Sequence, residues 1–275
     1  MSYRTLMATS IPGRANAAVL EATAAIAGKL HAGVIGIAAC RPIHCVSRDY
    51  ALPAVAFEHD RKQIERQIHE AEREFRATMA GLAGSIEWRA HTCLEPLATH
   101  LAEESVSADL IVAALYTDGR AVDATRQPDL CDLVMQAGRP VLLVAASRPT
   151  AAIDRVLIAW KNTREARRAI ADALPLLAKA TSVMVVAIED LGRGADARSG
   201  VSRVSAWLGR HGIAAETSVV PSRTANAPQL TGIAREMKAD LIVAGAYGHS
   251  RQGQWILGGI TSELLGGNQC VLLSQ

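Results

Sequence analysis

Aromatic residues are scarce in this chain: Phe, Trp and Tyr together make up 4% of its 275 residues. So little flat π surface argues against a protein that stacks on nucleic-acid bases. An excess of one charge sign is also missing, because 29 Lys and Arg stand against 27 Asp and Glu, for a net charge of +2. That balance is far from the concentrated basic patch that a nucleic-acid backbone or an anionic membrane would favour, so charge by itself chooses no partner. No uninterrupted apolar stretch approaches the roughly 20 residues of a bilayer-spanning helix, and the opening Met-Ser-Tyr-Arg-Thr-Leu has no signal-peptide apolar core. The five cysteines, Cys40, Cys45, Cys93, Cys131 and Cys270, are odd in number and nowhere form C-x-x-C. Reduced thiols fit that pattern better than a disulfide or zinc framework. The expectation is a cytoplasmic protein with neither nucleic acid nor membrane as partner.

What the chain does have is apolar mass, 49% of its residues, drawn mainly from Ala, Val, Leu and Ile. This suits a layered α/β interior with closely packed helices. It also contains a repeat. Ala-Asp-Leu-Ile-Val-Ala occurs at Ala108–Ala113 and again at Ala239–Ala244, so the chain reads as two copies of one domain.

Patterning within the halves agrees with that. The first half reads as strands at 5–9, 33–40, 86–91, 110–114 and 140–145, with helices at 15–30, from 57 to about 82, 97–104 and 130–137. In the long helix Ile64, Ile68, Ala71, Phe75, Met79 and Leu82 recur at spacings of three, four or seven, which makes it amphipathic with a charged outer face. The second half repeats the order, with strands at 155–160, 182–188, 216–220, 241–245 and 270–273 and helices at 164–180, 201–211, 227–238 and from 260. Its second helix is the shorter of the two, and it has no counterpart of the irregular segment 41–55. The polar, proline-containing stretch 147–152 is the natural linker. The predicted fold is therefore α/β, two tandem Rossmann-like five-stranded parallel sheets flanked by helices and related by a pseudo-two-fold, with domains at 1–147 and 152–275. Their short apolar last strands would otherwise be exposed edges, so the two halves are expected to pair through them as a pseudo-dimer, with a homodimer as a further option.

The two hexapeptides lead into different loops. After the second, the chain runs through Gly245, Gly248, Gly258 and Gly259 toward a helical pattern; at the matching positions of the first half stand Ala114, Thr117, Pro128 and Asp129. A strand, a glycine loop and a helix start can cradle a phosphate, because glycine lets backbone N–H groups converge on an anion and the helix dipole adds to them. Asp129 would instead cap its helix and repel phosphate. Right-handed crossovers place the glycine loop and the end of the second half's first strand, Trp160-Lys161-Asn162-Thr163, on one edge of the sheet, where ligands bind.

Gly245, Gly248, Gly258 and Gly259, spaced as G-x-x-G, nine residues, G and a small residue after a buried strand, resemble the nucleotide loop of the universal stress protein family. With the repeated hexapeptide, the resemblance covers both halves. It implies adenine nucleotide α-hydrolase-like domains in which many members hold ATP without fast turnover. Carried over, Gly245, Gly248, Gly258 and Gly259 would meet the phosphates of ATP or ADP, with Ser250 as a hydroxyl donor. Two positions depart from the family pattern. Gly259 replaces the usual Ser or Thr, with Thr261 two residues on. Lys161 stands where an acidic or amide side chain contacts the nucleoside; a lysine accepts no hydroxyl proton, but it can meet a phosphate as a point charge.

Other residues carry less. His249 lies within the loop and reads as a solvated histidine. His44 and Cys45 have only Asp49 nearby and no further ligand at metal spacing, so no metal site is expected. Trp160 and Trp255 read as packing residues. No nucleophile, base and orienter stand together, and no paired carboxylate beside the glycine loop is placed to hold Mg2+. The function expected is a non-catalytic stress-response module binding ATP or ADP in its second domain. A slow ATPase and a ligand-free interaction scaffold are the alternatives.

Overall fold

The computed structural model describes residues 2–43, 54–116, 122–145, 153–189, 194–222, 226–246, 248–251, 254–257, 264 and 269–275. The chain divides into two compact units, Tyr3–Pro149 and Thr150–Gln275, the latter grouped with Met1–Ser2. That division falls inside the stretch 147–152 read as the linker, whose residues lie outside those described except as this boundary.

The first unit runs β1 (Thr5–Ser10), α1 (Ala17–Leu30), β2 (Gly33–Cys40), α2 (Ala54–Met79), β3 (Ile86–Thr92), α3 (Leu97–Glu104), β4 (Leu110–Leu115), α4 (Leu130–Gln136) and β5 (Val141–Ala145). Its strands lie in the order β3-β2-β1-β4-β5, all parallel. Inner strands of a parallel sheet are covered on both faces, so they must be apolar throughout rather than alternating. β2, β4 and β5 are buried at every residue, whereas β3, with a single neighbour, is half-exposed. In α2 the stripe read from spacing points inward at Ile64, Ala71, Phe75 and Met79. Phe75 is fully buried and meets Trp88 of β3, ring centroid to ring centroid, at 5.2 Å.

The second unit runs β6 (Arg155–Ala159), α5 (Arg164–Leu177), β7 (Ser182–Glu189), α6 (Gly194–Arg210), β8 (Glu216–Pro221), α7 (Asn226–Glu236), β9 (Leu241–Gly245), β10 (Gly248–Arg251), β11 (Gln254–Leu257) and β12 (Cys270–Ser274). Its parallel strands follow β12-β9-β6-β7-β8, the same order of use as in the first unit. α6 begins at Gly194, earlier than the apolar pattern from residue 201 suggests, because its first turns are small and polar and offer no periodicity to read. It is still shorter than α2, at 17 residues against 26. Residues 248–257, read as open loop, contain an antiparallel pair instead, β10 with β11, in the register Gly248↔Leu257 to Arg251↔Gln254. The helix expected from residue 260 falls on residues outside those described, apart from Leu264.

The repeated hexapeptide has a structural job in both units. Asp109 Oδ2 accepts the backbone N–H groups of Arg4 and Thr5 at 2.7 and 3.0 Å, and Asp240 Oδ2 accepts those of Asp154 and Arg155 at 3.2 and 2.8 Å. Each aspartate thus tethers the start of its unit's first strand to the start of its fourth, and fixes their register. Among the described residues no helix is long and apolar enough to cross a membrane.

Candidate functional site

In each unit the strand order reverses between its first and fourth strands, and a crevice opens there at the carboxyl ends. In the second unit this switch point lies between β6 and β9, which pair from Val156↔Leu241 to Ile158↔Val243. β6 delivers Trp160, Lys161 and Asn162 to the edge, and β9 delivers Gly245. Trp160 N–H extends the ladder to β7, donating to Val186 O at 2.8 Å, and the turn out of β6 is closed by Thr163 N–H donating to Lys161 O at 2.7 Å. Thr163 then caps α5, its hydroxyl accepting Ala166 N–H at 3.2 Å. This cap sets the positive end of the α5 dipole at the switch point.

Gly245 packs against that same helix start. A β-carbon on it would stand 2.5 Å from Ala166 N and 2.6 Å from Glu165 C. The glycine is therefore required by the approach of α5, whatever ligand the edge receives. On its far side β9 is backed by β12, where Ala246 N–H donates to Ser274 O at 2.8 Å.

Beside Trp160 a cleft of about 460 Å3 is lined by Trp160, Asn162, Arg167, Arg203 and Trp207 together with Ile170, Gly200 and Val204. Trp160 fits because Gly200 has no side chain; a β-carbon there would come within 2.7 Å of the indole Nε1. Arg167 Nη1 donates to Asn162 Oδ1 at 2.9 Å, which holds the guanidinium at the rim. Two indoles and two guanidinium groups make a cleft that suits a flat ring bearing negative charge.

The sequence-derived residues separate as follows. Lys161 is exposed at the end of β6, and Gly245 closes β9, so both reach the switch point. Gly248 and Ser250 belong to β10, in which His249 also lies. Gly258, Gly259 and Thr261 lie outside the described residues, as do His44, Cys45, Asp49 and Thr117. Trp160 does pack against a neighbouring helix, α6. The reading from motifs missed Arg167, Arg203 and Trp207; they stand on helices, where no glycine or strand-end signal marks them.

The first unit's switch point, between β1 and β4, holds its own side chains. Tyr116, just past β4, donates to Ala15 O at 2.8 Å, and the Arg14 guanidinium lies 4.2 Å over the Tyr116 ring. Gln67 of α2 sits on Gly13, where a β-carbon would come within 2.5 Å of its amide nitrogen. Next to it the buried Arg126 donates to Gln67 Oε1 at 2.9 Å, Asp60 Oδ1 at 2.9 Å and Arg41 O at 3.1 Å. Asp129 caps α4, accepting Asp132 N–H at 3.0 Å, as its position at a helix start predicted.

No protein-family model and no curated protein matches the chain. Solved structures do match it. A universal stress protein from Archaeoglobus fulgidus DSM 4304 superposes with a TM-score of 0.73 at 13% identity, over 98% of each chain. A functionally unknown protein from Pseudomonas aeruginosa PAO1 gives a TM-score of 0.62 at 16% identity, over 99% of this chain and 92% of its own. The similarity read from the glycine spacing is thus met at the level of architecture, and the fold of this chain, over nearly its whole length, is that of the universal stress proteins.

Proposed function

We propose that this chain is a universal stress protein of the cytoplasm that holds an adenine nucleotide at the carboxyl edge of its second unit without rapid turnover. The observation that carries the reading is the meeting of Lys161, Gly245 and the capped start of α5 at the switch point between β6 and β9. A cation and a helix dipole favour phosphate there, and the neighbouring cleft with Trp160, Trp207, Arg167 and Arg203 has room for the base and ribose. The glycine spacing through Gly248, Gly258 and Gly259 supports the same placement, with Ser250 as the hydroxyl donor. The first unit acts as a partner domain: Tyr116 ties the end of β4 to Ala15, Arg126 ties to Gln67, and Asp129 at the start of α4 disfavours phosphate.

A second reading, a scaffold that acts through protein contacts alone, is favoured by one observation: α5 packing already accounts for Gly245. Mass spectrometry of small molecules released from gently purified protein, followed by calorimetric titration with ATP and ADP, separates the two. Near-stoichiometric ATP or ADP, or one equivalent bound on titration, supports the nucleotide reading; no release and no heat leave the scaffold. A single-turnover assay with and without Mg2+ then tests the slow-ATPase alternative.

A further inference from the structure

At the edge of the first unit's sheet, β3 carries Arg89 and His91 two residues apart and so on one face of the strand. α3 carries His100 and Glu104 four residues apart and so on one face of the helix. The two faces meet. The rings of His91 and His100 lie 4.7 Å apart, centroid to centroid, and Arg89 Nη1 is 2.8 Å from Glu104 Oε2. One ligand atom from each of His91, His100 and Glu104 falls within 4.8 Å of the others, and all three residues are partly buried.

The orientation of His100 adds a second, independent observation. Its Nδ1 lies 2.9 Å from Glu95 Oε1. With the proton of the neutral ring on Nδ1, donated to that carboxylate, the lone pair is at Nε2. Nε2 is buried and has no hydrogen-bond partner among the described residues. A buried acceptor without a partner is costly, and a carboxylate on the opposite ring nitrogen is the arrangement that orients a metal-bound histidine.

We propose that His91, His100 and Glu104 form a binding site for a divalent transition-metal ion, zinc being the ion they suit best, with Glu95 as the positioning residue behind His100. Two imidazole nitrogens and one carboxylate oxygen are borderline ligands that suit zinc, whereas magnesium and calcium favour all-oxygen sets. Bond lengths of about 2.0–2.1 Å in a tetrahedral site put ligand atoms roughly 3.4 Å apart, so the metal draws the cluster inward by a small side-chain adjustment. Arg89 does not preclude this. It engages Glu104 Oε2 and leaves the other oxygen to the metal, orienting the carboxylate as Glu95 orients the ring. Three protein ligands leave a fourth position for water or an outside ligand. The bound ion clips an edge strand with one sheet neighbour to the helix that follows it. Cys93, Glu95 and His100 form a competing set that shares His100, with ligand atoms also within 4.8 Å.

The test uses the full chain, freed of metal with a chelator and titrated calorimetrically with ZnCl2 and, separately, MgCl2. One equivalent of zinc should bind, with no heat from magnesium at the same concentrations. His91→Ala and Glu104→Gln should each weaken zinc at least tenfold, Glu95→Gln should weaken it about 10- to 100-fold, and Cys93→Ser should leave it intact. Melting of each metal-free variant checks folding. The cobalt spectrum of the parent decides independently of any variant: weak tetrahedral bands without an intense thiolate charge-transfer band support the site. Failure of the parent to take up zinc, unchanged affinity in His91→Ala, loss of binding in Cys93→Ser, or a thiolate band would each overturn it.

Discussion

Gly245 sits so close to Ala166 that a β-carbon on the glycine would stand 2.5 Å from the alanine's backbone nitrogen. The end of β9 and the start of α5 are thus fitted to one another through a missing side chain. The contact is with backbone, which cannot swing aside as a flexible side chain could.

Gly245→Ala should therefore destabilise the folded chain by about 1–3 kcal/mol, the usual cost of overpacking a tight contact, as read from the denaturant midpoint. Gly248→Val should weaken ATP binding more than it weakens folding. Calorimetry and melting on the two variants together check the distinction; a Gly248→Val variant that binds ATP like the parent removes that residue from the site.

Lys161 is exposed just past the end of β6, so under the proposed nucleotide reading it would act as a screened charge. Lys161→Asp should weaken ATP by roughly 2- to 5-fold at low salt, with a smaller effect on AMP, and should flatten the dependence on ionic strength. Titration of ATP, ADP and AMP at two salt concentrations measures it. Identical curves for variant and parent would mean that Lys161 is a solvated surface residue.

Asp109 and Asp240 each satisfy two backbone N–H groups at the start of a first strand. Replacing either with Ala strands both donors, and should cost about 1–3 kcal/mol. The two sites lie in different units and share no partner, so the double variant should be close to additive. Chemical denaturation of the four proteins gives the answer directly.

Burial pushes the Cys40 thiol up from 9.0 to about 12, against a smaller opposing pull from Arg126. The sign follows from linkage: a raised pKa in the folded state means the fold holds the proton more tightly than the unfolded chain does. That contribution is fully present below about pH 9 and is lost as the pH rises toward about 12. Cys40→Ala should flatten the alkaline fall in stability over this window. In the native parent at pH 8, Cys40 should resist alkylation that the unfolded chain undergoes readily, as peptide mapping would show.

Most of the architecture was legible because a doubly wound parallel sheet writes itself as uninterrupted apolar runs between amphipathic helices. β2, α3 and β9 match their sequence-derived limits, and the repeated hexapeptide located both fourth strands. What could not be read has physical reasons. The pairing of β10 with β11 comes from backbone hydrogen bonds between a polar strand and one ending in Trp255-Ile256-Leu257, and neither alternates apolar with polar residues to reveal it. The packing role of Gly245 depends on a helix 80 residues earlier in the chain, and a glycine looks the same in sequence whether it faces a phosphate or a backbone. The cluster at the edge of β3 had one visible trace, the i, i+4 pair His100 and Glu104; His91 joins it only through the tertiary packing of α3.

The ties from Tyr116 to Ala15 and from Arg126 to Gln67 and Asp60 have a stoichiometric consequence. A duplicated nucleotide domain could in principle take two ligands per chain, and its halves could then influence each other's affinity. On the proposed reading, in which the second unit alone holds nucleotide and these side chains stand in the way at the first, one ligand per chain is expected. Its saturation curve should be a simple hyperbola with no homotropic component inside the chain, and any sigmoidal response would have to arise between chains.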